Sequence, residues 1–522
     1  MERFLLSNVT FIQYNMGQLF LPMDLEDLIP ANHVVRIVND TVERMDDELF
    51  FQYYPGGGRS SFHPKMLTKV LVYAYTQRIY SSRQIAKALR ENIHFMWLSA
   101  RQTPDFRTIN RFRSERMKDI VEQVFAAVLE LLIDEGYVKF EHYFLDGTKI
   151  EANANRYTFV WKKSTDRFQS RLQAQIRELL TEIEQANQQE QREYGERDLE
   201  ELGKDQDQPI TSEQLDTLVT SLEQQLSESP KNNPLRKAIR KIRKDYLPRC
   251  EKYEMQQATF QDRNSFSKTD PDATFMRMKE DHMKNGQLKP GYNVQVGTEN
   301  QFIVGFSIHQ RPTDTRCLIP HFEQMWERFG ILPQSVIADA GYGSEENYSW
   351  LAHEEIEAFV KFNTYYQEQT KRFQNDISRF ENWIYDAERD EYICAGNQRL
   401  TFRYERTVKT EAGYSSKKRY YQCDACGTCP LKNQCTKSKN NRQIGVSVTL
   451  QEHKQRARAN LTSKRGRKLS VQRMVEVESV FGQIKGNRGF RRFLLRGIPK
   501  VTIEMGLVSV AHNLLKVAAS LA

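Results

Sequence analysis

Residues 143–155 read YFLDGTKIEANAN, and the placement of Asp146 within them decides the fold. Tyr143, Phe144 and Leu145 form an aromatic and aliphatic run that reads as a short buried strand. Lys149 to Asn153 then alternates polar and apolar, as a half-buried strand does. An aspartate inside a strand is unfavoured, and Asp146-Gly147 taken locally is a hairpin-turn signal. The other reading, a metal-holding carboxylate, needs further carboxylates to converge on it.

At 522 residues the chain exceeds what one hydrophobic core supports, so two or more domains are expected, and 39% hydrophobic residues suffice to fold them. The segment MERFLLSNVTFIQYNMGQLF has no basic stretch leading into a long apolar core and no small-residue cleavage site. No apolar run reads as long enough to span a bilayer. A soluble cytoplasmic protein without a membrane partner is expected. Of seven cysteines, five (Cys394, Cys423, Cys426, Cys429, Cys435) crowd together, which in a reducing compartment suggests a metal site rather than disulfides.

The net charge is +8, unevenly spread: from Thr436 to Lys500 there are 17 Lys and Arg against three acids, a surplus of 14 that leaves the remainder at −6. A dense cationic tract in a globular protein faces a polyanion more often than it forms a mere solvated surface, because each phosphate contact releases counterions.

Residues 1 to about 135 read as helical. PKMLTKVLVYAYTQRIY is apolar at helical spacing, SSRQIAKALREN offers serine N-caps, and TPDFRTINRFRSERM begins with a Thr-Pro helix start. Two short helices around a turn can form a helix-turn-helix presenting Arg107, Asn110, Arg111 and Arg113 to DNA; a plain helical bundle with a basic surface is the equal alternative. Residues 165–260 are Gln- and Glu-rich with Leu172, Ile176, Leu179, Ile183 and then Leu215, Leu218, Leu222, Leu226 at helical intervals. This reads as a helical hairpin or short coiled coil broken at Asp205 to Pro209.

Strands resume after it. PGYNVQVGTENQFIVGFSIHQ alternates around a Thr-Glu-Asn-Gln turn, DTRCLIPHFEQMWERFG is an amphipathic helix, SVIADAGYG a short strand ending in Asp339, EENYSWLAHEE a helix and EAFVKFN a strand. With a last helix from Gln472 this is a mixed sheet flanked by helices. Asp146 and Asp339 fall on separate strands and meet if those strands are neighbours.

The segments FLDGTKIEANAN, SKTDPDATFM with PGYNVQVGTENQFIVG, VIADAGYGSEEN and VEVESVFGQIKGNRGFRRFLLRG resemble the DDE transposases of bacterial insertion sequences, from about Pro64 to the C-terminus. The resemblance implies an α+β multidomain protein with an all-α DNA-binding domain at 1–135. A ribonuclease-H-like core would be divided over 136–164, 261–364 and 471–522, with insertions at 165–260 (helical) and 365–470 (Cys-rich, basic). It implies a catalytic triad of Asp146, Asp339 and Glu478 with Lys485 seven residues on. It also implies two Mg or Mn ions per site, DNA partners (terminal inverted repeats and target), a homodimer in a synaptic complex, and a bacterial, nucleoid-associated location. Related enzymes often carry tyrosine and arginine seven and four residues before the glutamate; here Val471 and Met474 stand there and Arg473 lies one position off.

Two ions ~3.5–4 Å apart can activate the attacking oxygen and stabilise the leaving one, and carboxylates supply the hard ligands they prefer. In the implied mechanism water cuts at the element's ends and the freed 3′-hydroxyl attacks target DNA, while Lys485, Arg488, Arg491, Arg492 and Arg496, with Arg473, contact DNA. Helical phase places Glu478 beside the apolar stripe Val477, Val480, Ile484 and turns Glu476 to solvent. Asp270 and Asp272 in SKTDPDATFM read first as turn caps and second as site residues. The Cys-x2-Cys-x2-Cys-x5-Cys run suits structural zinc first, no metal second and an iron–sulfur cluster third. Besides a transposase, an inactive DNA-binding regulator and a nuclease without strand transfer are open readings.

Overall fold

The computed structural model describes residues 24–51, 61–194, 209–228, 232–278, 287–410 and 413–521. The initial segment 1–20 and most of the expected break at Asp205 to Gln208 lie outside them. The chain divides into two compact units, residues 1–116 with 513–522, and residues 117–512.

The smaller unit is helical. Its central helix, Pro64–Thr76, starts with proline in the first turn, where the missing N–H has no helical partner to lose, and is buried on every side. Two lysines on it are buried only because carboxylates meet them: Lys65 Nζ lies 2.8 Å from Asp47, and Lys69 pairs with Glu43. Helices Ser82–Glu91 and Ile93–Leu98 follow, the second capped by the Asn92 side chain accepting from His94 N at 2.9 Å. The helix expected at Thr103-Pro104 begins later, at Phe106–Arg111, because Asp105 provides the cap, accepting from Thr108 N at 2.7 Å.

In the larger unit the strands are, in chain order, β1 (His142–Glu151), β2 (Phe159–Trp161), β3 (Ser265–Ser267), β4 (Thr274–Arg277), β5 (Leu288–Glu299), β6 (Phe302–His309), β7 (Ser335–Ala338), β8 (Glu357–Val360), β9 (Ile384–Asp386), β10 (Glu391–Ile393), β11 (Arg399–Lys409), β12 (Ser415–Cys423) and β13 (Gln443–Val446). The main sheet runs β4-β5-β1-β7-β8, with β6 also paired to β5; β1, β7 and β8 are parallel, while β1, β4 and β6 each run antiparallel to β5. The β5–β6 hairpin turns at Asn300 and Gln301, both at positive φ (52° and 62°), as a tight two-residue turn requires.

Asp146-Gly147 makes no turn: β1 runs straight through both residues. Gly147 is needed for a different reason, since a Cβ there would collide with the Asp314 carboxylate and the Gln295 amide.

Between β2 and β3 stand helices Lys162–Tyr194, Ser212–Glu228, Asn233–Lys241 and Leu247–Phe260. The expected stripes are there: Leu172, Ile176, Leu179, Ile183, Leu215 and Leu222 are buried, and Leu218 and Leu226 pack half-buried against them. The hairpin reading misses the last two helices, whose Leu235, Ile239, Tyr246 and Tyr253 complete the same core. Strands β9–β13 form a second, antiparallel sheet in sequential order, with Leu400, Tyr421, Cys423, Ile444 and Val446 in its core.

One expectation is corrected: Ile498–Ser520 is long and apolar enough to cross a bilayer. Its apolar window is 78% buried inside the protein, which a core helix of this length also produces.

Candidate active site

Parallel pairing sets His142 against Ser335, Tyr143 against Val336 and Phe144 against Ile337; continued two residues, the same register sets Asp146 against Asp339. Alternation along a strand sends Asp146 to the face of Phe144 and Asp339 to that of Ile337. That face is covered by helix Lys464–Phe481, whose Leu469 and Val477 pack on Phe144 and Ile337. Asp146 is nearly buried and its Oδ1 accepts from Gly147 N at 2.9 Å. Asp339 lies just past the end of β7, caps a short turn by accepting from Gly341 N at 2.8 Å, and its side chain remains 41% exposed.

Arg473 joins the two. Its Nη2 is 3.2 Å from Asp146 Oδ2 and 4.0 Å from Asp339 Oδ2. Expected on the DNA surface, Arg473 instead stands between the carboxylates, because on a helix it shares the inward face with Val477, Val480 and Ile484. Its Nε is buried without a hydrogen-bond partner among the described residues.

Glu478 is exposed on the same helix. Glu476 contradicts its assignment to solvent: it is 4% exposed, with Oε2 accepting from Gln301 N at 2.6 Å and Oε1 from Gln472 Nε2 at 3.0 Å. The turn of the β5–β6 hairpin supplies a backbone donor that phase alone does not reveal. Lys485 is buried in a π-helical turn and donates to Lys149 O at 2.9 Å, holding the helix end to β1.

A third aspartate, unforeseen in the sequence, approaches from the opposite face of β1. Asp314 Oδ1 accepts from Asn293 Nδ2 at 2.8 Å and Gln295 Nε2 at 2.9 Å, against Gly147. Burial, followed by the negative charges of Asp314, Asp146 and Asp339, holds the Tyr342 hydroxyl well above its ordinary pKa, and that hydroxyl donates to Gln295 Oε1. The signal available in sequence was the inward polar pair Asn293 and Gln295 in YNVQV, an odd choice for a buried strand.

The remaining candidates divide. Asp270 and Asp272 are caps rather than site residues: Asp270 accepts from Gly497 N (3.1 Å) and Tyr292 hydroxyl (2.9 Å), and Asp272 from Ile498 N (2.9 Å). Burial pushes the Asp270 carboxyl above its usual pKa. Arg113 is corrected from a DNA contact to a structural bond, being 3% exposed and donating to Tyr80 O at 2.6 Å. Arg107, Asn110 and Arg111 are exposed, Arg111 pairing with Glu115 at 3.0 Å. Arg492 donates to Ala152 O (3.2 Å) and Arg496 to Asn153 O (2.7 Å), clasping the segment after β1, while Arg491 donates to Lys485 O (3.0 Å) at the helix end; all three lie exposed, and Arg488 is half-buried.

Cys394, Cys423, Cys426, Cys429 and Cys435 line one pocket beneath the second sheet. Burial pushes the Cys423 thiol up to about 11. Among the described residues, no three His, Cys, Asp or Glu side chains are arranged so that they could hold a metal ion, here or at Asp146.

Neither a curated protein nor a solved structure matches the chain. Two family models do. A transposase domain matches residues 23–115, and a transposase DDE domain matches residues 393–518, which carry the cysteines, Arg473, Glu478 and Lys485. One match lies on the helical unit and the other runs from the second sheet through the helix over the paired aspartates, so both matched regions are similar to transposase domains and together support a DDE transposase of an insertion element.

Proposed function

We propose that the chain binds the terminal inverted repeats of its element, cuts at them and joins the freed ends to target DNA. The observation that carries this is the meeting of Asp146, in β1, and Asp339, just past the end of the neighbouring parallel strand β7, at one guanidinium, Arg473 Nη2 lying within 4.0 Å of both carboxylates. The order β6-β5-β1-β7-β8, with the last three parallel, supports a ribonuclease-H-like core.

Transposases of this class generally use a divalent metal. Asp146 and Asp339 fit one: both are hard oxygen donors, Asp146 held within β1 and Asp339 at the end of β7, Asp339 is open to solvent, and a guanidinium already lies between them. We assign Asp146, Asp339 and Glu478 as the residues that would hold it, with two Mg or Mn ions per site, which would supply Lewis-acid stabilisation of the scissile phosphate and activation of the attacking oxygen. Glu478 is exposed and reaches the pair by side-chain rotation and helix adjustment. Arg473 yields its place and turns toward phosphate, which its unsatisfied Nε–H favours. Lys485 keeps the helix end on β1, and the exposed Arg491, Arg492 and Arg496 follow the DNA backbone. A Cβ at Gly482 or Gly486 would meet no atom within 4 Å, which leaves room for that backbone.

Arg107, Asn110 and Arg111 are assigned to the element's ends, and the active form to a homodimer holding two ends. Incubation with DNA carrying the flanking repeats and Mg tests the whole reading. Cutting with joining supports it, cutting alone indicates a nuclease, and binding alone a regulator.

A further inference from the structure

The second sheet carries a surface that the catalytic assignments do not use. On β11 and β12 the ladder pairs Tyr404 with Tyr420 and Arg406 with Lys418, so these four side chains share one face. The tyrosine rings stack, centroids 4.8 Å apart and 19° from parallel, and Tyr404 is 46% exposed. Tyr420 lies over Gly445 on β13, where a Cβ would stand 2.9 Å from its ring, so the glycine provides a flat floor. The two cations sit one strand repeat further along, about 6.6 Å away. Among the described residues neither Arg406 nor Lys418 forms an ion pair within 4.0 Å, whereas Arg399, Arg403 and Arg419 on the same two strands pair with Glu391, Asp424 and Asp390.

We propose that this face binds unpaired DNA, one base stacking on the exposed side of Tyr404 and its phosphates on Arg406 and Lys418. A water-exposed tyrosine pair beside unpaired cations suits a base plane and a phosphate together, and duplex DNA hides its base planes. Position supports it. A cleft of ≈ 430 Å³ beside this face is lined by Lys418, Gly445, Glu345 and Thr315, and Thr315 Oγ1 donates to Gly341 O at 2.7 Å, next to Asp339. In the cleft Glu345, Glu346 and Glu381 are offset by Arg316, Lys418 and Lys454, and Glu345 is taken up by the Ser416 hydroxyl at 2.8 Å, so the cleft has no cationic surplus, whereas Arg406 and Lys418 on the ribbon are set against no acid; a strand's phosphates belong there. The inference rests on the transposase reading for its role, which is to hold a strand unpaired near the cut.

The test is fluorescence anisotropy of the full chain with labelled oligo(dT) and with a duplex, without metal and at fixed salt. Tyr404→Ala should weaken oligo(dT) binding roughly tenfold and duplex binding little, Tyr404→Phe should restore it, and Arg406→Ala with Lys418→Ala should flatten the salt dependence. Equal loss for both DNAs, or none, overturns the proposal. Photocrosslinking of the unaltered chain to halogenated oligo(dT) should map to Tyr404 or Tyr420, and crosslinks confined elsewhere overturn it too. The cutting assay is separate: a chain that binds oligo(dT) through Tyr404 yet never cuts DNA refutes the transposase reading alone.

Discussion

Arg473 and Asp146 form an ion pair at 3.2 Å in which each side chain is only 11% exposed. Breaking a buried pair by removing one partner leaves the other charge uncompensated. In metal-free buffer Arg473→Gln should therefore lose roughly 3 kcal/mol. With Mg added it should recover more melting temperature than the unaltered chain gains, because the carboxylates then have no guanidinium to displace. Melting curves with EDTA and with Mg check this. Equal Mg responses in the two proteins would show that Arg473 and metal do not compete.

Asp146→Asn and Asp339→Asn should each abolish Mg-dependent cutting while leaving binding to the element's ends nearly unchanged, since a lost ligand affects the reaction more than docking. Cleavage assays beside gel shifts decide it; a variant that still cuts at a substantial fraction of the normal rate removes that aspartate from the site.

Glu478→Gln should eliminate cutting without lowering stability, as the side chain is exposed. Glu476→Gln should do the opposite. It weakens a charged acceptor for Gln301 N and costs about 1–3 kcal/mol, while the folded fraction still cuts. Denaturant melts paired with cleavage rates separate the two glutamates, and a reversed pattern would reassign the third carboxylate.

These glutamates show what a sequence can and cannot convey. Periodicity located the helix and its Val477–Val480 stripe, because burial of an apolar face repeats along the chain. It misplaced Glu476, whose partner is a backbone N–H some 175 residues earlier. Asp146-Gly147 failed similarly as a turn: the side chains that require Gly147 come from Gln295 and Asp314, remote in sequence. The order of β1, the β5–β6 hairpin, β7 and β8 with the helices between them was legible, since each segment carries its own period and stops, whereas the short β2, β3 and β4 carry too few residues to show one. Arg473 was not, because its place depends on how far the helix rolls over the sheet.

The five cysteines share one pocket but are not arranged to hold a metal as they stand, so a zinc site requires them to close. Closure should then give about one zinc per chain on elemental analysis, with proton release on uptake, since the buried Cys423 thiol must ionise from about 11. Cys426→Ser and chelation should both lower the melting temperature. Protein purified without chelators and free of zinc and iron would end the metal reading.

Acid should weaken the fold before most carboxylates titrate. Burial lowers the His309 pKa to about 4, with Arg311 pushing the same way and Asp314 opposing. Its Nε2 is 2.7 Å from Ser307 Oγ, which also contacts His321. An unfolded histidine titrates near ~6.5, so between that pH and about 4 the unfolded chain binds a proton that the folded one refuses, and stability falls as pH drops. The loss from His309 approaches roughly 3 kcal/mol. His309→Gln should flatten melting temperature against pH in this window; an unchanged slope would assign the effect elsewhere.

The helices between β2 and β3 bury their own apolar side chains, and the chain leaves and re-enters through one short ladder, Phe159–Trp161 against Ser265–Ser267. Phe159 and Trp161 both lean on Phe275 of β4, which anchors that doorway to the main sheet. Departure and return points are thus a strand spacing apart, about 4.8 Å. The segment is an exchangeable cassette: evolution can lengthen, shorten or swap it, and Asp146 keeps its register against Asp339 whatever is mounted there.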